Sequence, residues 1–170
     1  MHIRIFHGRG GVARKLAVVG AVASVAVLTV PSVASASVTR SGMEHIRIVH
    51  NSLQNPGVII IKGVKADGGK DYSRGNKDLA VFPDGAFTIQ HPGGNFTFDL
   101  NPATCVAHIS GTGNYTLVNG FGAYRGLTGS GTYVFKGIFT FGRNNQGGCA
   151  VRQGPTAEQD IVRASGPFSL

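Results

Sequence analysis

Large apolar side chains recur at every second position through much of the second half of this 170-residue chain. In residues 85–90, Phe87 and Ile89 fall on one side, Thr88 and Gln90 on the other. In residues 95–100, Phe96, Phe98 and Leu100 alternate with Thr97 and Asp99. In residues 132–141, Tyr133, Phe135, Phe139 and Phe141 alternate with Thr132, Val134, Lys136 and Thr140. Successive side chains of a strand point to opposite faces, so a period of two with one apolar side marks a strand that covers a core. Pro83-Asp84-Gly85 and His91-Pro92-Gly93-Gly94 place turn residues between the runs. No stretch of residues 37–170 carries the 3.6-residue apolar stripe of an amphipathic helix.

The earlier part is less regular. Residues 37–43 read as a loose segment, and residues 44–49 as a strand with Ile46 and Ile48 on one face. After the turn signal Pro56-Gly57, the run Val58-Ile59-Ile60-Ile61 predicts a strand buried on both faces. Residues 62–77 hold Lys62, Lys65, Lys70, Arg74, Lys77 and a Gly68-Gly69 pair, and predict a solvated connection. Seven to nine short strands with frequent turns make an all-β fold, a single domain over residues 37–170. We expect an antiparallel β-barrel of about eight strands, with a β-sandwich as the alternative. The glycines at 111, 113, 120, 122, 129 and 131 would relieve crowding where a closed sheet bends, and closure removes exposed edges.

Residues 1–36 have the three parts of a secretory signal peptide. A basic segment ends at Arg14-Lys15, an apolar run covers residues 16–30, and small residues end at Ala34-Ser35-Ala36. The apolar run is shorter than the ~20 residues that cross a bilayer as a helix. No cysteine follows the cleavage point, so no lipid anchor is expected, and the product should be secreted without a membrane attachment. In an oxidising compartment the only two cysteines, Cys105 and Cys149, make one disulfide. They lack the C-x-x-C spacing of reactive thiols.

Charge and motif exclude several functions. Loss of Arg4, Arg9, Arg14 and Lys15 with the leader lowers the formal charge from +8 to +4, spread thinly along the chain. Nucleic-acid binding needs clustered phosphate contacts and is not expected. Gly111-Thr112-Gly113, Gly120-Phe121-Gly122 and Gly129-Ser130-Gly131 are not followed by the helix a phosphate loop requires. His50, His91 and His108 lack paired ligand spacing and are expected on the surface, His91 in a turn and His108 outside the barrel. Asp67, Asp71 and Asp99 are expected in solvent; no cofactor or metal is expected.

Phe82-Pro83-Asp84-Gly85, Asn101-Pro102-Ala103-Thr104-Cys105, the segment from Gly111 through Tyr115 and that from Ala123 through Tyr133 together form a glycine–aromatic cadence. On these residues the chain resembles a group of small secreted bacterial proteins of unassigned function. Their pattern is similar to the eight-stranded barrel of allene oxide cyclases and plant dirigent proteins. The resemblance implies a lumen able to hold an apolar small molecule and, in the named families, a trimer or dimer. It carries over no catalytic residue.

Two function classes follow. In the first, the barrel binds a small apolar or amphipathic ligand without changing it, through Phe87, Phe96, Phe98, Tyr115, Tyr133 and Phe135, in a cavity with few titratable groups. In the second, a cyclase- or dirigent-like enzyme steers a reactive small molecule, with Tyr115 and Glu44 as the candidate catalytic residues. A structural role in the envelope or matrix is a third. The leader yields the first test: N-terminal sequencing of the exported protein should begin at Ser37, and a product that retains residues 1–36 would overturn the signal-peptide assignment.

Overall fold

The computed structural model describes residues 39–53 and 56–170; the expected signal peptide lies outside them. Nine strands follow in order: β1 Ser41–His50, β2 Gly57–Lys62, β3 Asp67–Arg74, β4 Lys77–Phe82, β5 Gly85–Gln90, β6 Gly94–Asn101, β7 Val106–Gly122, β8 Thr128–Phe141 and β9 Pro155–Ser169. A single turn of 3₁₀ helix, residues 151–153, precedes β9. All pairings are antiparallel, and β5 pairs with β7 to close eight strands into a barrel, leaving β6 as an extra strand.

β7 explains how eight strands close while a ninth stays outside. Residues 116–122 of β7 pair with β5, whereas residues 106–113 pair with β6 on the same edge. The chain 85–101 is thus two collinear strands, interrupted at His91, Pro92 and Gly93. At that level β1 and β4 also end, at His50 and Lys77, while β7, β8 and β9 run on beyond it. The barrel therefore has one flush rim and, opposite it, an overhang made of β6 and the far ends of β7, β8 and β9.

Alternation places the core as expected over β1, β5 and β8. Ile46, Ile48, Ile59, Ile61, Ala80, Phe87 and Ile89 are buried in one cluster. At the end away from the overhang, Phe82 and Phe87 stack at 5.3 Å and Tyr124 packs against both, closing that end. A second, smaller cluster of Cys105, Ala107 and Phe141 lies in the overhang. There the Cys105–Cys149 disulfide ties the β6–β7 turn to the segment after β8, with Cα atoms 5.3 Å apart.

Four expectations are corrected. β1 begins at Ser41, inside the segment expected to be loose, because residues 41–43 continue the ladder with β9. β2 is not buried on both faces: Ile59 and Ile61 face inward while Val58 and Ile60 are exposed, since no second layer covers the outside of a barrel. The supposed solvated connection contains β3 and the start of β4; its inward positions are held by Gly69, Asp71 and Ser73, which give no apolar signal. Finally, Phe96 and Phe98 are 51% and 49% exposed, because the barrel has no facing wall at the level of β6.

Gly120, Gly122 and Gly131 stand where backbone approaches closely, as expected of crowded positions, whereas Gly111 and Gly113 are openings for aromatic rings. A methyl group at Gly111 would overlap the Phe96 ring, and one at Gly113 would overlap Tyr133. With only hydrogens there, Phe96 crosses Gly111 to meet Phe135 edge-on at 5.9 Å. Removal of the disulfide tests the energetic weight of the overhang. The bridge closes a 44-residue separation, which the chain-entropy model values at up to ~4 kcal/mol. The double substitution Cys105→Ser, Cys149→Ser should lower urea stability by at most about that amount while retaining a strand-type circular-dichroism spectrum. Loss of all strand signal would show that the barrel cannot form without the bridge.

Candidate functional site

Between the closed end and the overhang the barrel contains a cavity of about 260 Å³. Its deep wall is apolar: Ile46 and Ile48 from β1, Ile89 from β5, Tyr115 from β7, and Val162 and Ala164 from β9. Phe96, Tyr133 and Phe135 extend that wall under the overhang. The remaining lining residues are polar: His50, Ser73, Asp78, His91, Glu158 and Asp160. They gather at the rim, where β1, β3 and β4 end.

His50 is the centre of the rim. Its Nδ1 lies 3.0 Å from Asp160 Oδ1 on the adjacent β9, and its Nε2 lies 3.1 Å from Asp71 Oδ2 on β3. Strand β2 stands between His50 and Asp71, and the imidazole reaches across it because the facing residue is Gly57, where a methyl group would collide with the ring. With carboxylate oxygens at both nitrogens, the ring must donate both hydrogens, unless one of the carboxyls carries a proton. The bonds to Asp160 and then Asp71 push the His50 pKa up to about 10, against a smaller opposing effect of burial. Asp71 is fully buried, and its own pKa is raised by that burial. We take the resting state to be a cationic imidazole between two carboxylates, since this satisfies both ring nitrogens.

A second pair lies beside the first. His91 Nε2 is 3.1 Å from Asp78 Oδ2, close enough for an ion pair but not aligned as a hydrogen bond. The Asp78 carboxylate raises the His91 pKa, with burial opposing it. Asp78 Oδ1 and Asp71 Oδ1 are buried acceptors without a protein partner. Glu158, at the start of the overhang, has a pKa raised by burial first and by the charge of Asp160 second. The Tyr133 hydroxyl donates to the Gly93 carbonyl at 3.3 Å, holding the ring beside His91. Among the described residues no three such side chains are arranged to hold a metal ion.

The ligand-binding candidates separate in this frame. Tyr115, Tyr133, Phe135 and Phe96 line the cavity. Phe87 does not; it is packed in the closed end against Phe82 and Tyr124. Phe98 also does not, facing Phe141 in the overhang at 6.1 Å. Of the candidate catalytic pair, Tyr115 is buried in the wall, with its pKa raised by that burial. Glu44 is fully buried but off the cavity: its Oε2 accepts from the Lys65 amide at 3.1 Å, its Oε1 has no partner, and burial raises its pKa. Nearby, Tyr124 donates to Asp67 at 2.7 Å under the Lys65 ammonium, so Asp67 is a structural acceptor rather than a solvated group.

The histidine assignments change most. His108 is exposed on the outside, as expected, and Asp99 is exposed as well. His50 and His91 are not surface residues; both face the cavity, and Asp71 is wholly buried instead of solvated. The expected shortage of titratable groups is likewise overturned by His50, Asp78, His91, Glu158 and Asp160. The one sequence signal for His50 is its parity with Ile46 and Ile48, two and four residues before it on the same face. His91 and Asp78 gave none, since their meeting depends on the β4–β5 pairing.

No family model matches the chain, and no match was found among curated proteins or solved structures.

The sign of the His50 shift sets a pH test. Its folded-state pKa lies above the unfolded value of 6.5, so its contribution to stability is complete below about pH 6.5 and is lost as pH rises through about 10. His91 is raised in the same sense. The protein should therefore lose stability to urea between pH 7 and 10. His50→Gln should cost ~3–5 kcal/mol at pH 7, as for removing one partner from a buried ion pair, and should flatten much of that slope. A variant with the wild-type slope would refute the assignment.

Proposed function

We propose that the protein is an exported barrel that takes one small amphipathic molecule into its lumen. The observation that carries this reading is the segregation of the cavity wall: isoleucines, valine and aromatic rings in depth, carboxylates and imidazoles at the rim. Binding sites of this kind bury most of an apolar ligand and orient it by a few polar contacts. At ~30 Å³ per water-sized atom, the 260 Å³ cavity accommodates roughly nine non-hydrogen atoms, with any longer tail lying under the overhang. The disulfide is compatible with an extracellular setting.

A second reading keeps the same pocket but has the bound molecule leave changed. It draws on the convergence of His91, Asp78 and Glu158 on one cavity beside the buried Tyr115, since acid–base chemistry needs titratable groups within reach of a desolvated ligand. Binding precedes chemistry in either case, so we place it first.

2-Phenylethanol, a neutral probe of suitable size, tests the lumen. Added to the protein it should shift the methyl NMR signals of Ile46, Ile48 and Ile89 saturably, and Ala164→Phe, which projects a ring into the lumen beside Ile46, should abolish the shifts. Shifts confined to the outer Val58 and Ile60, or unaltered by Ala164→Phe, would defeat the proposal.

A further inference from the structure

The rim of the cavity is built for one sign of charge. Asp78, Glu158 and Asp160 line it, Asp71 stands directly behind His50, and neither a lysine nor an arginine is among the lining residues. Against these four carboxylates stand two imidazoles, His50 and His91. With both imidazoles charged and all four carboxylates ionised the group carries −2, and −1 if Asp71 holds a proton.

The donors and acceptors are as unequal as the charges. Both His50 nitrogens are committed to carboxylates, so His50 has no hydrogen to offer an anionic guest. Asp78 is only 9% exposed, lines the cavity and keeps Oδ1 without a partner. A buried carboxylate oxygen without a donor costs free energy that a ligand N–H would recover. Aromatic rings stand at the same level: Tyr133 touches His91 edge-on, and Phe96 meets Phe135 beneath the overhang. Such ring faces attract a cation, the more so away from water.

We infer that the guest of this cavity is an amine, an apolar body in the lumen with its ammonium group donating to Asp78 between the rim carboxylates and the aromatic rings. The inference rests on the lumenal-ligand reading and narrows it to a substrate class. A guest carboxylate or phosphate would meet four carboxylates against two imidazoles, a rim of net negative charge, so anionic amphiphiles are disfavoured. Neutral alcohols can donate to the Asp78 carboxylate but gain nothing from the surrounding charge.

Three probes of one shape separate these outcomes: 2-phenylethylamine, 2-phenylethanol and phenylacetate, each titrated into the protein at pH 7 and followed by the isoleucine methyl signals. The amine should bind at least tenfold more tightly than the alcohol, and phenylacetate more weakly than both. Asp78→Asn should reduce the preference for the amine over the alcohol at least fivefold. Should Asp78→Asn fail to fold, Glu158→Gln, on the half-exposed start of β9 and outside the His50 bonds, should still lower amine affinity selectively. Alcohol binding with no amine preference, or phenylacetate binding as tightly as the amine, would overturn the inference and leave the lumen intact. If none of the three moves the isoleucine signals, the lumenal reading falls and this one with it.

Discussion

The suspension of His50 between Asp160 and Asp71 governs the open end of this barrel. One imidazole links three strands, β9, β1 and β3, and passes over the fourth, β2, where Gly57 leaves the ring its path. Cross-strand hydrogen bonds already hold these strands side by side; the ring adds a side-chain tie in the lumen, at the level where β1 ends. Charge buried this way is costly, and apolar residues of similar volume would serve a fold at least as well. Packing alone does not account for it. The far end of the barrel shows the contrast, closed by Phe82, Phe87 and Tyr124.

The unequal strand lengths decide what the rim faces. Because β7, β8 and β9 outrun β1 and β4, the polar residues at the flush side look across to aromatic rings on the overhang. Glycine is what lets those rings lie down. Phe96 over Gly111 and Tyr133 over Gly113 occupy space that side chains on β7 would otherwise fill. The same substitution that strengthens an ordinary strand, a side chain for a hydrogen, would here lift a ring out of the cavity wall.

Alternation of apolar and polar residues revealed β5, β6 and β8 and the all-β class, because an apolar face is a local property of the chain. It could not reveal β3, whose inward residues are Gly69, Asp71 and Ser73; that strand is held by its neighbours and by His50. Nor does a period of two say whether anything stands opposite the apolar face. For Phe87 a wall does; for Phe98 none does, and the difference lies in where β7 changes partner. The rim escaped notice for a related reason. Asp71, Asp78, His91 and Asp160 come from four segments, none with a motif, and meet only because β9, β1, β2, β3, β4 and β5 lie side by side in the sheet.

The shared edge of β7 has one more consequence. Barrel closure uses residues 116–122 and the overhang uses residues 106–113, with the disulfide anchoring the latter from outside the closed sheet. The hairpin formed by β6 and the adjoining part of β7 is thus carried on the continuous β7–β8 ladder, beyond the residues that close the barrel. Lengthening or trimming it would alter the wall that Phe96 adds under the overhang without changing the pairings that close the eight strands. The overhang and the closed barrel thus draw on separate stretches of one strand.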